Sequence, residues 1–195
     1  MSLDWTLTRT SDQSHLAVSL AEAKANLRVS GSGQDDHITL LIEAATEQVE
    51  RDTARAVLSA TWRQSLHSFP ENGDPIPLYQ RPVTAVTSVT YTDEDGNVQT
   101  LSTDDWSYNA SRNALYYKGS EDCWPQNEET KDDTVFIDFS AGIADEGCVP
   151  RLIKQAILIE VGRTFFDPAQ ENGVNTNDGR SYENIVRKLR RSSYP

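Results

Sequence analysis

The hydrophobic period of this chain changes twice, and the two changes set what it can fold into. In "DDHITLLIEAATEQVERDTARAV", Ile38, Leu41, Ile42, Ala45 and Val49 fall at i, i+3, i+4 and i+7 spacing. That pattern is one apolar stripe on a helix, with charge on the opposite face. Near residue 60 the period drops to two. "PVTAVTSVTYTDEDGNVQTL" is rich in Val, Thr and Tyr and reads as strand, turn, strand. Its "DEDGN" supplies the turn, with Gly96 free to take positive φ. "DDWSYNASRNALYYKG" adds two short strands, and "TVFIDFSAG" alternates Val135, Ile137 and Phe139 against Phe136 and Asp138. Helical spacing then returns in "VPRLIKQAILIEVGRTFF", where Ile153, Ile157, Val161 and Phe165 repeat every four residues after Pro150.

Two flanking segments complete the helical set. In "SLAEAKANLRV", Ser19 and Glu22 fit a capping box, and Leu20, Ala23 and Leu27 share a face. Asp35 or Asp36 is expected to cap the next helix. At the other end Tyr182, Ile185, Val186 and Leu189 stand at helical spacing, after a polar loop, "DPAQENGVNTNDGR". The expected class is α+β: a small bundle of about four helices with an antiparallel β insertion between the second and third. The expected layout is an extended arm over 1–18, a helical domain over 19–59 plus 141–195, and an inserted β subdomain over 60–140.

Charge narrows the function classes. The formal net charge is −12, and it is uneven. Residues 1–150 carry 10 Lys+Arg against 25 Asp+Glu, whereas residues 151–195 carry 8 against 5. Wrapping of nucleic acid as the main task is disfavoured, because phosphate binding needs cations to replace counterions. No stretch approaches the roughly 20 apolar residues of a membrane span. The start lacks the basic and apolar regions of a secretory signal. Cys123 and Cys148 read as thiols of a reducing compartment.

No catalytic constellation emerges. His15, His37 and His67 have no second ligand at metal-binding spacing. No Gly-x-Ser-x-Gly elbow or phosphate-binding glycine loop is present, and "SGSG" at 30–33 lacks the Lys-Ser/Thr of a P-loop. Paired acids are common, as at Asp104/Asp105 and Glu128/Glu129, but carry little information in a chain with 30 of them. A hydrolase would place two acids in a cleft lined by Trp62, Trp106 or Trp124. Packing of a β unit accounts for the same aromatics. No cofactor is expected.

The basic end is the unusual feature. "SYENIVRKLRRSSYP" carries Arg187, Lys188, Arg190 and Arg191 beside the stripe of Tyr182, Ile185, Val186 and Leu189, with Tyr194 beyond. A solvated helix face, a phosphate contact and docking on an acidic partner all remain open on these residues.

The order of segments resembles one family. "SLAEAKANLRV" followed by "DDHITLLIEAATEQVERDTARAV" looks like the opening of tailed-phage head–tail connector (adaptor) proteins. "IPLYQRPVTAVTSVTYTDEDGNVQTL" and "VFIDFSAGIADEGCVPRLIKQAILIEVGRTFF" are similar to the same family's later segments, so the resemblance spans roughly residues 17–166. It implies a non-enzymatic virion protein without a cofactor, made in the host cytoplasm and built into the neck. It implies a ring, usually of twelve subunits, under the portal vertex. The ring extends the DNA channel without sequence-specific DNA binding, touches no membrane, and recruits a downstream neck or tail-completion protein. It also implies that the C-terminal segment docks on the portal protein, here Tyr182, Ile185, Val186, Arg187, Lys188, Leu189, Arg190, Arg191 and Tyr194. On that basis a chain cut at residue 180 is expected to fold but not to dock. A carbohydrate- or protein-binding β module is the alternative, and an acid-dependent hydrolase a weaker one.

Overall fold

The computed structural model describes residues 5–11, 15–119, 123–128, 133–143, 146–166 and 176–191, the side chains of 146, 176–179 and 191 excepted. Two compact units are present. One comprises Met1–Asp12 and Ala60–Gly142, the other Gln13–Ser59 and Ile143–Pro195. The chain is α+β, with four α-helices among the described residues and with antiparallel sheets between the second and third.

The eight strands among the described residues all lie in the first unit: β1 (Trp5–Arg9), β2 (Ala60–Leu66), β3 (Ile76–Pro77), β4 (Val83–Thr92), β5 (Val98–Thr100), β6 (Trp106–Asn109), β7 (Ala114–Tyr117) and β8 (Val135–Ala141). One sheet has the order β1-β2-β8-β4-β5, the other β3-β7-β6, and every pairing is antiparallel. β8 is central and buries the residues its alternation singles out: Val135, Ile137 and Phe139 are fully buried. Part of the segment expected as an extended arm is an edge strand, β1, whose Trp5 stacks on Tyr79 at 3.8 Å. Two buried amides occupy polar gaps. Gln64 Nε2 donates to the Pro77 carbonyl while its Oε1 accepts from Tyr79 N–H, tying β2 to the segment around β3. Asn113, at φ 53°, accepts from the Tyr108 hydroxyl and donates to the Leu78 and Gln80 carbonyls. Each satisfies polar atoms that would be costly unpaired.

The turn chemistry of "DEDGN" works as expected, with Gly96 at φ 82°. Asp93 accepts from Gln99 Nε2 and from the backbone N–H groups of Asn97 and Asp95, and these bonds hold its carboxyl below the usual range. Across β2 and β8, Arg63 forms a two-pronged ion pair with Asp138, 2.8 Å at each prong. Hydrogen bonding from Arg63 lowers the Asp138 carboxyl against the opposing effect of burial. A lowered folded value means stability that is full above the unfolded value near about pH 4 and lost as pH falls through the folded value. Asp138→Asn is therefore expected to cost about 1 kcal/mol or less at pH 7, since Arg63 is half solvated. That difference should shrink at pH 3, and urea midpoints at the two pH values measure it.

The second unit holds α1 (Leu20–Leu27), α2 (Asp35–Thr53), α3 (Arg151–Phe166) and α4 (Thr176–Arg191). The capping box at the start of α1 is formed, and Lys154 of α3 also binds the Glu22 carboxylate. α2 departs from expectation. Its N-cap is Gln34, with no side-chain cap, and Asp35 and Asp36 lie inside the first turn. There they favour the positive end of the helix dipole, and Asp35 pairs with Lys24. α2 and α3 each pack on the other three helices, which makes α3 as central as its many-sided apolar pattern suggests. Ala17, Val18, Ile38, Ile42, Val49, Ala156, Ile157 and Val161 are almost wholly buried in this core. α4 begins at Thr176, so the last five residues of the expected polar loop are helical instead. Among the described residues no helix is long and apolar enough to cross a membrane.

Candidate docking surface

α4 is strongly amphipathic, and both of its faces have assignable roles. Ile185, Val186 and Leu189 are buried, at 7, 8 and 6% exposure, while Arg180, Arg187, Lys188 and Arg190 are exposed. Ile185 and Leu189 belong to the same core cluster as α2 and α3, and Tyr182 packs against it. The apolar stripe is thus used within the chain's own helical unit. Cutting the chain at residue 180 would strip two core side chains from α2 and α3, so such a chain is expected to be destabilised as well as unable to dock. Arg191 lies in α4 with its side chain outside the described residues, and Tyr194 lies outside them altogether.

Polar contacts fix α4 against the end of α2. The Tyr182 hydroxyl donates to Asp52 Oδ2 at 2.6 Å, and Gln48 Nε2 donates to the same carboxylate oxygen. Burial first, and this bond to a carboxylate second, push the Tyr182 phenol well above its ordinary value. The hydroxyl therefore stays protonated, and the stabilisation it brings is full below about pH 10 and declines above it. Two arginines exchange places at the helix ends. Arg55, buried just past α2, donates from Nε to the Leu189 carbonyl at 3.2 Å, and Arg190 donates from Nε to the Asp52 carbonyl. Each cation meets carbonyl groups that a helix end leaves without intrahelical partners, where the dipole is negative. Glu50, also buried, accepts the Val57 N–H at 2.7 Å and pins the turn between them.

These contacts leave a groove of about 430 Å³ lined by Asp52, Tyr182, Glu183, Val186, Arg187 and Arg190. Among the described residues, neither Arg187 nor Lys188 has a carboxylate partner; Arg187 donates only to Asn184 within its own helix. Asp52, Glu50 and Arg55 escaped the sequence reading. The available signal was position: Thr46, Glu50 and Thr53 repeat at helical spacing on a buried stripe of α2.

The other candidate sites resolve into packing. Trp62, Trp106 and Trp124 are all buried, and Trp124 donates its indole N–H to the Asp74 carbonyl while stacking on Phe69 at 5.2 Å. A cleft of about 650 Å³ beside Phe69 and Trp124 carries Glu71, Glu94 and Glu128. Of the three tryptophans Trp124 lines it, and Trp62 and Trp106 do not. Among the described residues no three His, Cys, Asp or Glu side chains could jointly hold a metal ion, and Cys123 and Cys148 form no disulfide.

Comparison with known proteins adds a family and a fold. Residues 17–116 match the family model of phage gp6-like head-tail connector proteins. A comparison with curated proteins returns no match. Among solved structures, a chain in the neck of an empty gene transfer agent particle, computed with C6 symmetry, superposes with a TM-score of 0.77 at 20% identity, over 95% of each chain. A chain in the virion of a native gene transfer agent particle gives 0.75 at 21% identity, over 94% of each. One in the neck of a native particle computed with C12 symmetry gives 0.69 at 19%, over 95% of this chain and 94% of that one. At these identities the likeness is one of fold.

Proposed function

The chain belongs to the phage gp6-like head-tail connector family, a structural family without enzymatic activity, and from that premise we propose that it is the adaptor of a phage-like particle's neck. In this reading it is made in the host cytoplasm, docks on the portal vertex and closes into a ring, of twelve copies, that extends the DNA channel. The ring then recruits the next neck or tail-completion protein. The fold likeness over nearly the full length of neck chains is the observation that carries the reading. Closed rings need head-to-tail contacts between two different surfaces of one subunit, and a chain of two units offers such surfaces.

Charge supports the same assignment. The β unit holds sixteen acids against six cations, for a net charge of −10, and the helical unit fourteen against twelve, for −2. A negative surface lets DNA pass without adhering. The cations concentrate on the exposed face of α4, which is the docking element for the portal. Its apolar stripe serves to hold that face in place.

Because α4 contributes to the core, charge reversal tests docking better than truncation does. Arg187→Glu with Lys188→Glu alters only exposed positions. Purified portal-containing heads lacking this protein should bind the wild type and sediment with it. The double variant should bind at least about tenfold more weakly. Normal co-sedimentation of a folded double variant would remove α4 from the portal contact. Electron microscopy of completed particles should show the wild-type chain as a twelvefold ring between head and tail.

A further inference from the structure

We infer that the groove between the end of α2 and α4 is a receptor for one side chain of the portal protein, an aliphatic or aromatic residue flanked by Asp or Glu. The inference rests on the reading that α4 faces the portal, and it adds where the contact centres and what chemistry the partner must bring.

Three observations lead to it. First, the groove is preformed. Tyr182 is held by Asp52, Arg190 is tied to the Asp52 carbonyl, and Arg55 fixes the Leu189 carbonyl from the other side. A wall held from both helices loses little freedom on binding, which favours affinity. Second, Val186 and the Tyr182 ring give the groove apolar lining, and its volume of about 430 Å³ suits a single large side chain rather than a helix. Third, the cations at and beside the groove have spare donors. A guanidinium carries five N–H groups. Arg187 uses one on Asn184, Arg190 one on the Asp52 carbonyl, and neither Arg187 nor Lys188 has a described carboxylate partner. A docked surface takes these cations out of water, and that is costly unless the partner supplies carboxylates. Glu183 is the one acid of the groove not already engaged in holding its wall, and it cannot balance two arginines and a lysine.

A basic or phosphate-bearing occupant fits worse. Phosphate would satisfy the cations but not the apolar lining, and a basic segment would leave Arg187, Lys188 and Arg190 opposed by like charge. The apolar lining and the cations together select an acidic segment that carries one large apolar residue.

The test uses the full chain and the portal assembly of the same particle. Glu183→Trp covers the groove from an exposed rim position without entering the core, and Glu43→Trp places the same side chain on an exposed part of α2 outside the groove. Circular dichroism should show both folded. The Glu183 variant should bind the portal at least about tenfold more weakly, and the Glu43 variant as the wild type does. Normal binding by the Glu183 variant, with binding lost on charge reversal at Arg187 and Lys188, would overturn the groove and leave α4 docking intact. Normal binding by both the Glu183 and charge-reversed variants would overturn the two together. A benzoylphenylalanine placed at Glu183 should cross-link to a portal segment containing Asp or Glu. Adducts to a segment without acids, to the downstream neck protein, or between two copies of this chain would each overturn the assignment.

Discussion

Leu189→Ala should lower the stability of the helical unit by about 2–5 kcal/mol while leaving every exposed cation of α4 in place. Leu189 is 6% exposed and sits in the core cluster with Ile185, Val49 and Ile157. Alanine is the best helix former, so helix propensity does not add to the loss. The backbone carbonyl that accepts from Arg55 is also retained. What remains is the transfer energy of the removed carbons and the cavity they leave. The contrast with charge reversal is diagnostic. Arg187→Glu with Lys188→Glu should cost less, about 1 kcal/mol, because both positions are exposed and the acid placed near the negative end of α4 is screened by water. Leu189→Ala should therefore weaken the fold and spare docking, while charge reversal spares the fold and weakens docking. Urea denaturation followed by helical circular dichroism measures the first, and co-sedimentation with heads the second.

Phe139→Ala should cost more, about 3–5 kcal/mol, and should act on the β unit. Phe139 is fully buried on β8, paired with Trp62 on one side and Val86 on the other. It is among the largest wholly buried side chains. A central strand offers the cavity no edge toward which to relax. The readout is provided by the chain: Trp5, Trp62, Trp106 and Trp124 all lie in the β unit, and the helical unit has no tryptophan. Indole fluorescence thus follows one unit, and the helical signal weights the other. Phe139→Ala should move the fluorescence transition to lower denaturant.

The parts of the fold that were legible are those governed by local pattern. α2 and α3 announce themselves because burial on one or more sides of a helix leaves a 3.6-residue period. β4, β5 and β8 do so because alternation and the "DEDGN" turn are encoded within a few residues. β1 was not legible as a sheet member. Its five residues pair with β2 more than fifty positions away, and no local signal carries that register. The cap of α2 was misread for a related reason: Asp favours both the N-cap and the first turn, and Lys24, eleven residues earlier, decides the pairing of Asp35.

The proposed docking site was legible in composition but not in direction. The stripe of Tyr182, Ile185, Val186 and Leu189 was visible as a surface to be buried. Periodicity says that a face is covered, not what covers it, and here the cover is α2 and α3. Glu50, Asp52 and Arg55 carry no pattern that separates them from the charged residues of a helix exterior. The roles of Asp52 and Arg55 depend on helix ends meeting across more than 120 residues of chain.

The placement of the two cysteines has a practical consequence. Cys123 is exposed in the β unit and Cys148 is exposed in the helical unit. The natural sequence therefore carries one addressable thiol on each unit and no others. Nitroxide labels on both, added without any substitution, form a ruler between the units. Dipolar spectroscopy of the free chain, of the chain on portal-containing heads and of finished particles would read how that distance evolves as a neck is built.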